Sequence, residues 1–536
     1  MRATNMKKAI LKSRMLLAPM VAVATLLLTV FAHGAAPGIT GPSFDLRAEA
    51  AYITQPDGAM VYSWGYGCNT APSGFAPSAI GNAFCSSMQI PGPTLIVTQG
   101  DTVTVKLTNG LPTAAGNTSI LFPGFNVTTT DGVIGLLTHE AAPGGVVTYT
   151  FTATTPGTRA YYSGTQSDLQ VEMGLYGAII VLPSSIPSAC TTGFAEKNRT
   201  AESHWGESDF RLAAAAYNHP KACYDREYLF QFSEIDPRIH SQAQAQVAAA
   251  DCTPTATTPP ALPPTCTLNV ATEPYVPAYF MINGRSMPDD MDGNYAQQYQ
   301  HQPYNGNPHM HPGEQILLRV IGQGRWQHPF HEHGNHVRVL ARDGNLILSA
   351  TTPDNSLAGP LLFTTTTTPG QAMDGIFYWT GKGLDWDVYG HNPTSPEING
   401  KLPCIADSNG YNTVDPTAIN YYEWCQDHNK PLESKPFGDV AKGGPITLPD
   451  ANILTNGAWY GGSAYLGPNA TVRAVGFTGT TPPSGTIANS PTDEAGFAFM
   501  WHSHNEREIT TNNIFPGGMM MMMLVDSREF RIDESN

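Results

Sequence analysis

Histidines are the residues of this sequence whose type and spacing could support chemistry, because they occur in clusters. Of the 16 histidines, one cluster comprises His309, His311, His328, His331, His333 and His336, and another comprises His502 and His504. In a β-strand, residues i and i+2 project from the same face, so a His-x-His pair presents two imidazoles side by side. Paired imidazoles on strands suit copper or zinc. We therefore predict a metal site with four imidazole ligands: His331, His333, His502 and His504.

Three other side chains lie close enough in sequence to supplement this site. His328 precedes the first pair, and Glu506 and Glu508 follow the second. Four imidazoles suit copper or zinc in a tetragonal or tetrahedral arrangement, and an open position would permit redox or Lewis-acid chemistry. The sequence has no Walker loop, GxSxG or HExxH motif, and no dinucleotide-binding GxGxxG after a strand, so these other catalytic sites are not predicted.

The elements that must hold the histidines are predicted to be short strands. Gly and Pro number 52 and 44, and only 13% of residues are charged, which argues strongly against an all-helical protein. Period-two alternation and short apolar runs predict strands at 102–107, 145–152, 174–182, 226–235, 279–282, 314–321, 337–340, 376–379, 497–501 and 519–525. The Ala-, Gln-, Thr- and Pro-rich tract at 240–265 is predicted to be a loop.

This strand pattern predicts an all-β fold of tandem β-sandwiches. The first domain is predicted at 42–185 and the second at 205–536. The region at about 385–495, dense in Gly, Pro, Asn and Thr, is predicted to be a loop-rich insertion, with a third sandwich as the alternative. The five consecutive methionines at 519–523 are expected to pack in a core strand, although thioethers also bind copper(I).

The overall charge excludes one class of partner. The chain has 28 Lys and Arg against 44 Asp and Glu, a formal net charge of −16. Such a surface repels phosphate backbones and anionic lipids, so we predict no nucleic-acid partner. It attracts cations, including metal ions.

The N-terminus has the pattern of an export signal. A basic stretch precedes an apolar run at 15–32, and small residues suitable for cleavage follow. We predict a signal peptide at 1–32, with an uncleaved membrane anchor as the alternative. The protein is then periplasmic or extracellular, with no membrane span after signal removal.

The eight cysteines fit an oxidising compartment. They form local couples in the sequence, Cys68 with Cys85, Cys190 with Cys223, Cys252 with Cys266 and Cys404 with Cys425. We predict disulfides between these sequence neighbours, because each would close a loop rich in Pro, Gly or Ala.

Four segments resemble those of multicopper oxidases, and they follow one another along the chain in the order that the family has. HPFHEHG at 328–334 is similar to the HPxHxHG loop of that family, and WHSH at 501–504 to its final HCH loop. PGPTLIVTQGDTVTVKLTN at 91–109 and QVEMGLYG at 170–177 resemble the start and end of its first cupredoxin domain. The resemblance implies cupredoxin-like Greek-key sandwiches, a copper cofactor and oxidoreductase activity. It also implies a small-molecule or metal-ion reductant and dioxygen as partners.

The chain departs from the family pattern in the residues that bind copper. Two histidine loops of the first domain are replaced by segments without histidine, at 120–124 and 161–166. By the resemblance, His328 matches a type 1 copper ligand, whereas Ser503 replaces the type 1 cysteine and Glu508 the second type 1 histidine. A blue copper site needs a thiolate, so we predict a degenerate centre with one or two metal ions.

Two functions follow from this sequence. The first is a copper-dependent oxidoreductase with a degenerate copper centre; we assign no catalytic residues and leave open whether it is an enzyme. The alternative is a non-catalytic cupredoxin protein that stores or carries copper or builds an extracellular assembly. A zinc hydrolase is disfavoured, because no carboxylate has the spacing of a general base.

Overall fold

The fold is described from a computed structural model of the chain. It describes residues 36–191, 209–256, 261–351, 356–382, 404–415, 421–426, 462–466, 495–526 and 532. Within these ranges, no helix is long and apolar enough to cross a membrane. The predicted signal peptide at 1–32 and most of the predicted insertion at 385–495 lie outside them.

The first sandwich consists of two five-stranded sheets and a small hairpin. Its strands are β1 Gly38–Thr40, β2 Ser43–Thr54, β3 Met60–Cys68, β4 Phe75–Ala76, β5 Leu95–Thr98, β6 Thr102–Asn109, β7 Thr128–Asp131, β8 Val133–Ile134, β9 His139–Glu140, β10 Val146–Thr152, β11 Gly157–Tyr162 and β12 Tyr176–Leu182. The sheet orders are β11-β12-β5-β1-β4 and β3-β2-β6-β10-β7, and β8 pairs with β9. A short helix, α1 Ser167–Gln170, lies between β11 and β12.

The second sandwich consists of two larger sheets. Its strands are β13 Arg226–Ile235, β14 Tyr279–Ile282, β15 His309–Met310, β16 Gln315–Gly322, β17 His328–Glu332, β18 Val337–Arg342, β19 Asn345–Leu346, β20 Leu361–Leu362, β21 Thr364–Thr367, β22 Ala372–Tyr378, β23 Gly462–Leu466, β24 Ala495–Ser503 and β25 Met520–Asp526. One sheet has the order β14-β13-β16-β22-β18-β19, with β20 beside β18. The other has the order β15-β25-β24-β17-β21, with β23 beside β24.

Alternation of apolar and polar residues explains how the strands pack. In β6, Val103, Val105 and Leu107 are fully buried, whereas the residues between them are partly or fully exposed. The core of the second sandwich is aromatic and thioether-rich and includes Phe330 and Trp501. Met519, Met520, Met521 and Met523 are buried, which confirms the predicted packing of the methionine run.

The predicted all-β class with tandem sandwiches is confirmed. We propose that the two sandwiches are the predicted domains at 42–185 and 205–536; β1 begins slightly ahead of the first boundary. The alternative of a third sandwich at 385–495 falls largely outside the described residues.

One predicted loop is in part a helix. Helix α2, Pro237–Ala249, occupies the start of the tract at 240–265, so the loop prediction was wrong for residues 240–249. Asp236 caps the helix by accepting a hydrogen bond from the backbone N–H of Arg238 at 3.0 Å. Ile239 packs into the core of the first sandwich, and this contact stabilises the helix despite its largely polar sequence.

The four predicted disulfides are confirmed. They join Cys68 to Cys85, Cys190 to Cys223, Cys252 to Cys266 and Cys404 to Cys425, and the described residues include no free cysteine.

Candidate metal centre

Two adjacent strands bring the predicted histidines together. β17 and β24 pair antiparallel, and His331 lies directly opposite His502 in their register. Phe330 and Trp501, which flank this pair, belong to the sandwich core. Because side chains alternate along a strand, His331 and His502 project from the opposite face of the sheet.

His333 and His504 continue this arrangement just beyond the ends of the two strands. One ligand atom each from His331, His333 and His502 lies within 4.8 Å of the other two, and all three residues are buried. The Nε2 atoms of His333 and His502 are 3.2 Å apart. The ring of His504 lies 4.8 Å from that of His331, and its side chain is 52% exposed. We call these four residues the histidine cluster.

Hydrogen bonds fix which ring nitrogens face the centre of the cluster. His502 Nδ1 lies 2.7 Å from the carbonyl oxygen of Ser503, which can only accept, so Nδ1 carries the proton. The Nε2 atom of His502 therefore has a free lone pair. His331 Nδ1 lies 2.6 Å from the Thr364 hydroxyl, which holds the ring in place. Partners of this kind orient histidines that bind metals.

The environment of His331 and His502 disfavours the protonated form of both rings. Burial, followed by the repulsion of the neighbouring imidazoles, lowers the pKa of His331 to about 4. Burial also lowers the pKa of His502. Neutral imidazole is the form that binds metals, so these two rings can bind an ion near pH 7 without first losing a proton.

The donor set fits a copper or zinc ion. Metal–nitrogen distances of about 2.0–2.1 Å place two ligands of one ion roughly 3 Å apart, close to the separation of the His333 and His502 Nε2 atoms. Without a metal, two neutral nitrogens at this distance would be joined by a hydrogen bond through a single proton. His331, His333 and His502 would hold the ion, and His504 lies at the exposed side of the cluster.

His328 and Glu508 lie in a different place, inside the sandwich. The Nδ1 atom of His328 is 2.8 Å from Glu508 Oε2, and its Nε2 atom is 2.9 Å from Glu234 Oε2. All three side chains are essentially buried. Burial alone would lower the pKa of His328, but its hydrogen bonds to Glu234 and Glu508 outweigh that effect and raise the pKa to about 9.

With both ring nitrogens donating, His328 has no lone pair for a metal. The prediction that His328 and Glu508 supplement the metal site stays a prediction, and we leave both out of the ligand set proposed below. Glu506 is 79% exposed and lies 3.9 Å from His504 Nδ1.

Glu234 is the residue of this region that sequence reasoning missed. It lies in β13, far from both histidine clusters in sequence, and only the fold brings it to His328. Its signal in the sequence was an acidic side chain within the strand predicted at 226–235, and Glu227 shares that signal.

In the first sandwich, hydroxyl and carboxylate groups stand where histidine loops were expected. The Ser119 hydroxyl lies 2.8 Å from that of Thr165, which donates to Glu140 Oε1 at 2.8 Å. Asn117 donates to the other oxygen of Glu140 at 2.9 Å. These groups satisfy one another, so this network needs no metal.

Comparison with known families places one segment of the chain. Residues 81–185 match the family profile described as multicopper oxidase. A laccase of Aspergillus fumigatus is 38% identical over 98 residues, which are 18% of this chain and 16% of that protein. Copper resistance protein A of Pseudomonas syringae pv. tomato is 39% identical over 93 residues, 17% of this chain and 14% of that protein. The matched region thus spans under a fifth of either relative.

Two solved structures of copper oxidases align with most of this chain at low identity. The multicopper oxidase mgLAC covers 92% of this chain and 88% of its own, at 14% identity and a TM-score of 0.43. A blue copper oxidase from Nitrosomonas europaea covers 90% and 85%, at 16% identity and a TM-score of 0.42. The predicted family resemblance is confirmed at residues 81–185, and copper is the cofactor that it implies.

Proposed function

We propose that this chain, which carries a multicopper oxidase domain at residues 81–185, is an exported copper-binding protein with a degenerate copper centre. Its activity is that of a copper-dependent oxidoreductase. The observation that carries the proposal is the convergence of His331, His333 and His502 within 4.8 Å on one sheet face.

The residues around the centre have separable tasks. His331, His333 and His502 bind the ion, and the hydrogen bonds of His331 to Thr364 and of His502 to Ser503 orient two of these rings. His504 is the ligand on the solvent side. Copper, when bound, supplies one-electron redox chemistry and Lewis acidity at this position. The proposed partners are a small-molecule or metal-ion reductant and dioxygen.

The surroundings of the site restrict how a reductant is used. Ser503 stands where a thiolate would link a type 1 copper to the cluster, and its side chain is buried against Glu508. We propose that the reductant acts at the histidine cluster itself. Phe363, 42% exposed and 5.6 Å from the ring of His331, forms part of its rim.

The proposal is tested by the copper content of a double variant. H331A/H502A removes two of the three converging ligands, and we expect bound copper to fall from about one ion per chain to background by elemental analysis. H139A is the matched control, since His139 lies in the hairpin of the first sandwich and hydrogen-bonds the Asp131 carbonyl. Copper retained by the double variant would disprove the assigned site.

A non-catalytic role in copper storage or carriage is the second candidate. It is favoured by the self-satisfied network of Ser119, Thr165 and Glu140, which leaves the first sandwich without a histidine ligand in that position. Copper-loaded protein that consumes no oxygen with phenols, ferrous or cuprous ions would support storage. Oxygen consumption that depends on added copper would support the oxidoreductase.

A further inference from the structure

A buried chain of charged groups lies directly beneath the histidine cluster. Glu234 comes from β13, His328 from β17, and Glu508 from the loop after β24. We call these three residues the triad. His328 lies between the two carboxylates, with nitrogen–oxygen distances of 2.8 and 2.9 Å. Since carboxylate oxygens accept, both ring nitrogens donate and the ring is an imidazolium.

The triad is rigidly held at its inner end. The Oε1 atom of Glu234 accepts hydrogen bonds from the backbone N–H groups of Arg325 and Trp326, each at 2.8 Å. The Tyr275 hydroxyl, 3.2 Å from Glu234 Oε1, is 2.6 Å from Glu172 of the first sandwich. Burying such charges is costly unless geometry is excellent, so the triad tolerates little displacement.

At its outer end the triad holds the loop that follows β24. Glu508 Oε2 accepts a short hydrogen bond from the Ser503 hydroxyl, and Oε1 accepts one from Asn505 Nδ2 at 2.8 Å. The Asn505 backbone N–H in turn donates to the Ser503 hydroxyl at 3.2 Å. The backbone also ties Glu508 to the next strand, because Met519 N–H donates to its carbonyl at 2.8 Å.

Ser503 is the connection between the triad and the metal site. Its side chain points into the sandwich, whereas its sequence neighbours His502 and His504 point outwards to the cluster. Its carbonyl oxygen accepts the Nδ1 proton of His502. A shift of Ser503 would therefore move two histidines and turn the ring of one of them.

We propose that Glu234, His328 and Glu508 form a metal-free positioning element that fixes Ser503 and thereby sets the geometry of His502 and His504 for the metal. This inference rests on the proposed function, because it assumes that the histidine cluster binds copper. The triad includes His328 and Glu508, which stand where the family resemblance would put ligands of the type 1 copper. The His328 imidazolium supplies the positive charge there. These three residues act through Ser503, without touching the metal.

The test compares copper affinity and the electron paramagnetic resonance spectrum among variants. E508Q keeps the size of the side chain but weakens its bonds to His328 and Ser503; we expect about 10–100-fold weaker copper binding and changed spectral parameters. S503A breaks only the link and keeps the triad, so it should alter the spectrum in the same way even if E508Q folds poorly. E49Q, at a partly exposed carboxylate that pairs with Arg47 in β2 of the first sandwich, is the matched control and should leave both readouts unchanged.

The possible failures are distinguishable. Copper-loaded wild type, E508Q and S503A with the same affinity and the same spectrum would overturn the positioning role and leave the proposed function standing. Wild-type protein that binds no copper would overturn the proposed function and the positioning role with it. A variant spectrum that changes while copper content stays at the wild-type value would support the positioning role specifically.

Discussion

Two residues, one between the last two histidines and one four positions after them, decide the chemistry of this site. Ser503 and Glu508 provide a hydroxyl and a carboxylate inside the second sandwich, where Glu508 accepts hydrogen bonds from both Ser503 and His328. A hydroxyl is a poor substitute for a thiolate as a copper ligand. The His328 imidazolium supplies the positive charge that a metal ion would otherwise bring to this position.

The protonation of His328 makes stability depend on pH. Its pKa is raised from the ordinary 6.5 to about 9, so its contribution to folding is complete below about pH 6.5 and is lost as pH rises through about 9. For copper-free protein, we expect the difference in unfolding free energy between wild type and H328Q to shrink from pH 6 to pH 10. Urea unfolding at several pH values measures it, and a constant difference would contradict the assigned imidazolium.

The same residues predict a gain of function. In S503C/E508H, the new thiolate and imidazole face the Nδ1 atom of His328, while Glu234 still accepts its Nε2 proton. That is the trigonal ligand set of blue copper sites, so copper should produce an intense blue absorption band that wild type lacks. S503C alone is the control, because it restores the thiolate without the second imidazole. A double variant that binds one copper ion more than wild type and stays colourless would show that His328 cannot serve as a ligand.

The histidine cluster depends on the pairing of β17 with β24. Spacing within each His-x-His pair was predictable, because a strand places i and i+2 on one face. The strand at 226–235 also matches its prediction, since aromatic side chains at every second position, Tyr228, Phe230 and Phe232, are typical of a strand. β2 and β3 were missed, and so was α2; its signal was Asp236 followed by a proline at the first helical position.

The hydrophobic core beneath the histidine cluster should contribute strongly to the stability of the folded protein. Phe330 is fully buried, with its ring 4.8 Å from that of Phe232, and it adjoins His331 in β17. F330A should lower the free energy of unfolding by about 3–5 kcal/mol through the cavity that it leaves, and should weaken copper binding. Leu136, 92% exposed, is the matched site, and L136A should change stability by under about 0.5 kcal/mol. Equal losses from both changes, in chemical denaturation, would contradict the described core.

At the scale of the whole molecule, two sandwiches and four disulfides were within reach of the sequence. Composition determined the all-β class, and proximity along the chain was enough to pair the cysteines. The triad was out of reach, because Glu234 and Glu508 lie 94 and 180 positions from His328 and meet it only in the folded chain. Contacts of this kind depend on strand order, which periodicity does not reveal.

The two sandwiches also meet near the site. Glu172 lies in the segment at 170–177, which resembles the end of the family's first cupredoxin domain. The Tyr275 hydroxyl links it to the triad. Burial raises the pKa of Glu172 to about 8, against the opposing hydrogen bonds from Tyr275 and the Asp236 N–H. A series of hydrogen bonds thus links the first sandwich, through the triad and Ser503, to the histidine cluster.

The most direct test of the central claim is the electron paramagnetic resonance spectrum of copper-loaded wild-type protein, recorded with its visible spectrum. The histidine cluster predicts about one copper ion with an ordinary tetragonal signal, nitrogen couplings from imidazoles and no intense blue band. A protein that takes up no copper, or whose copper signal lacks nitrogen couplings, would contradict it.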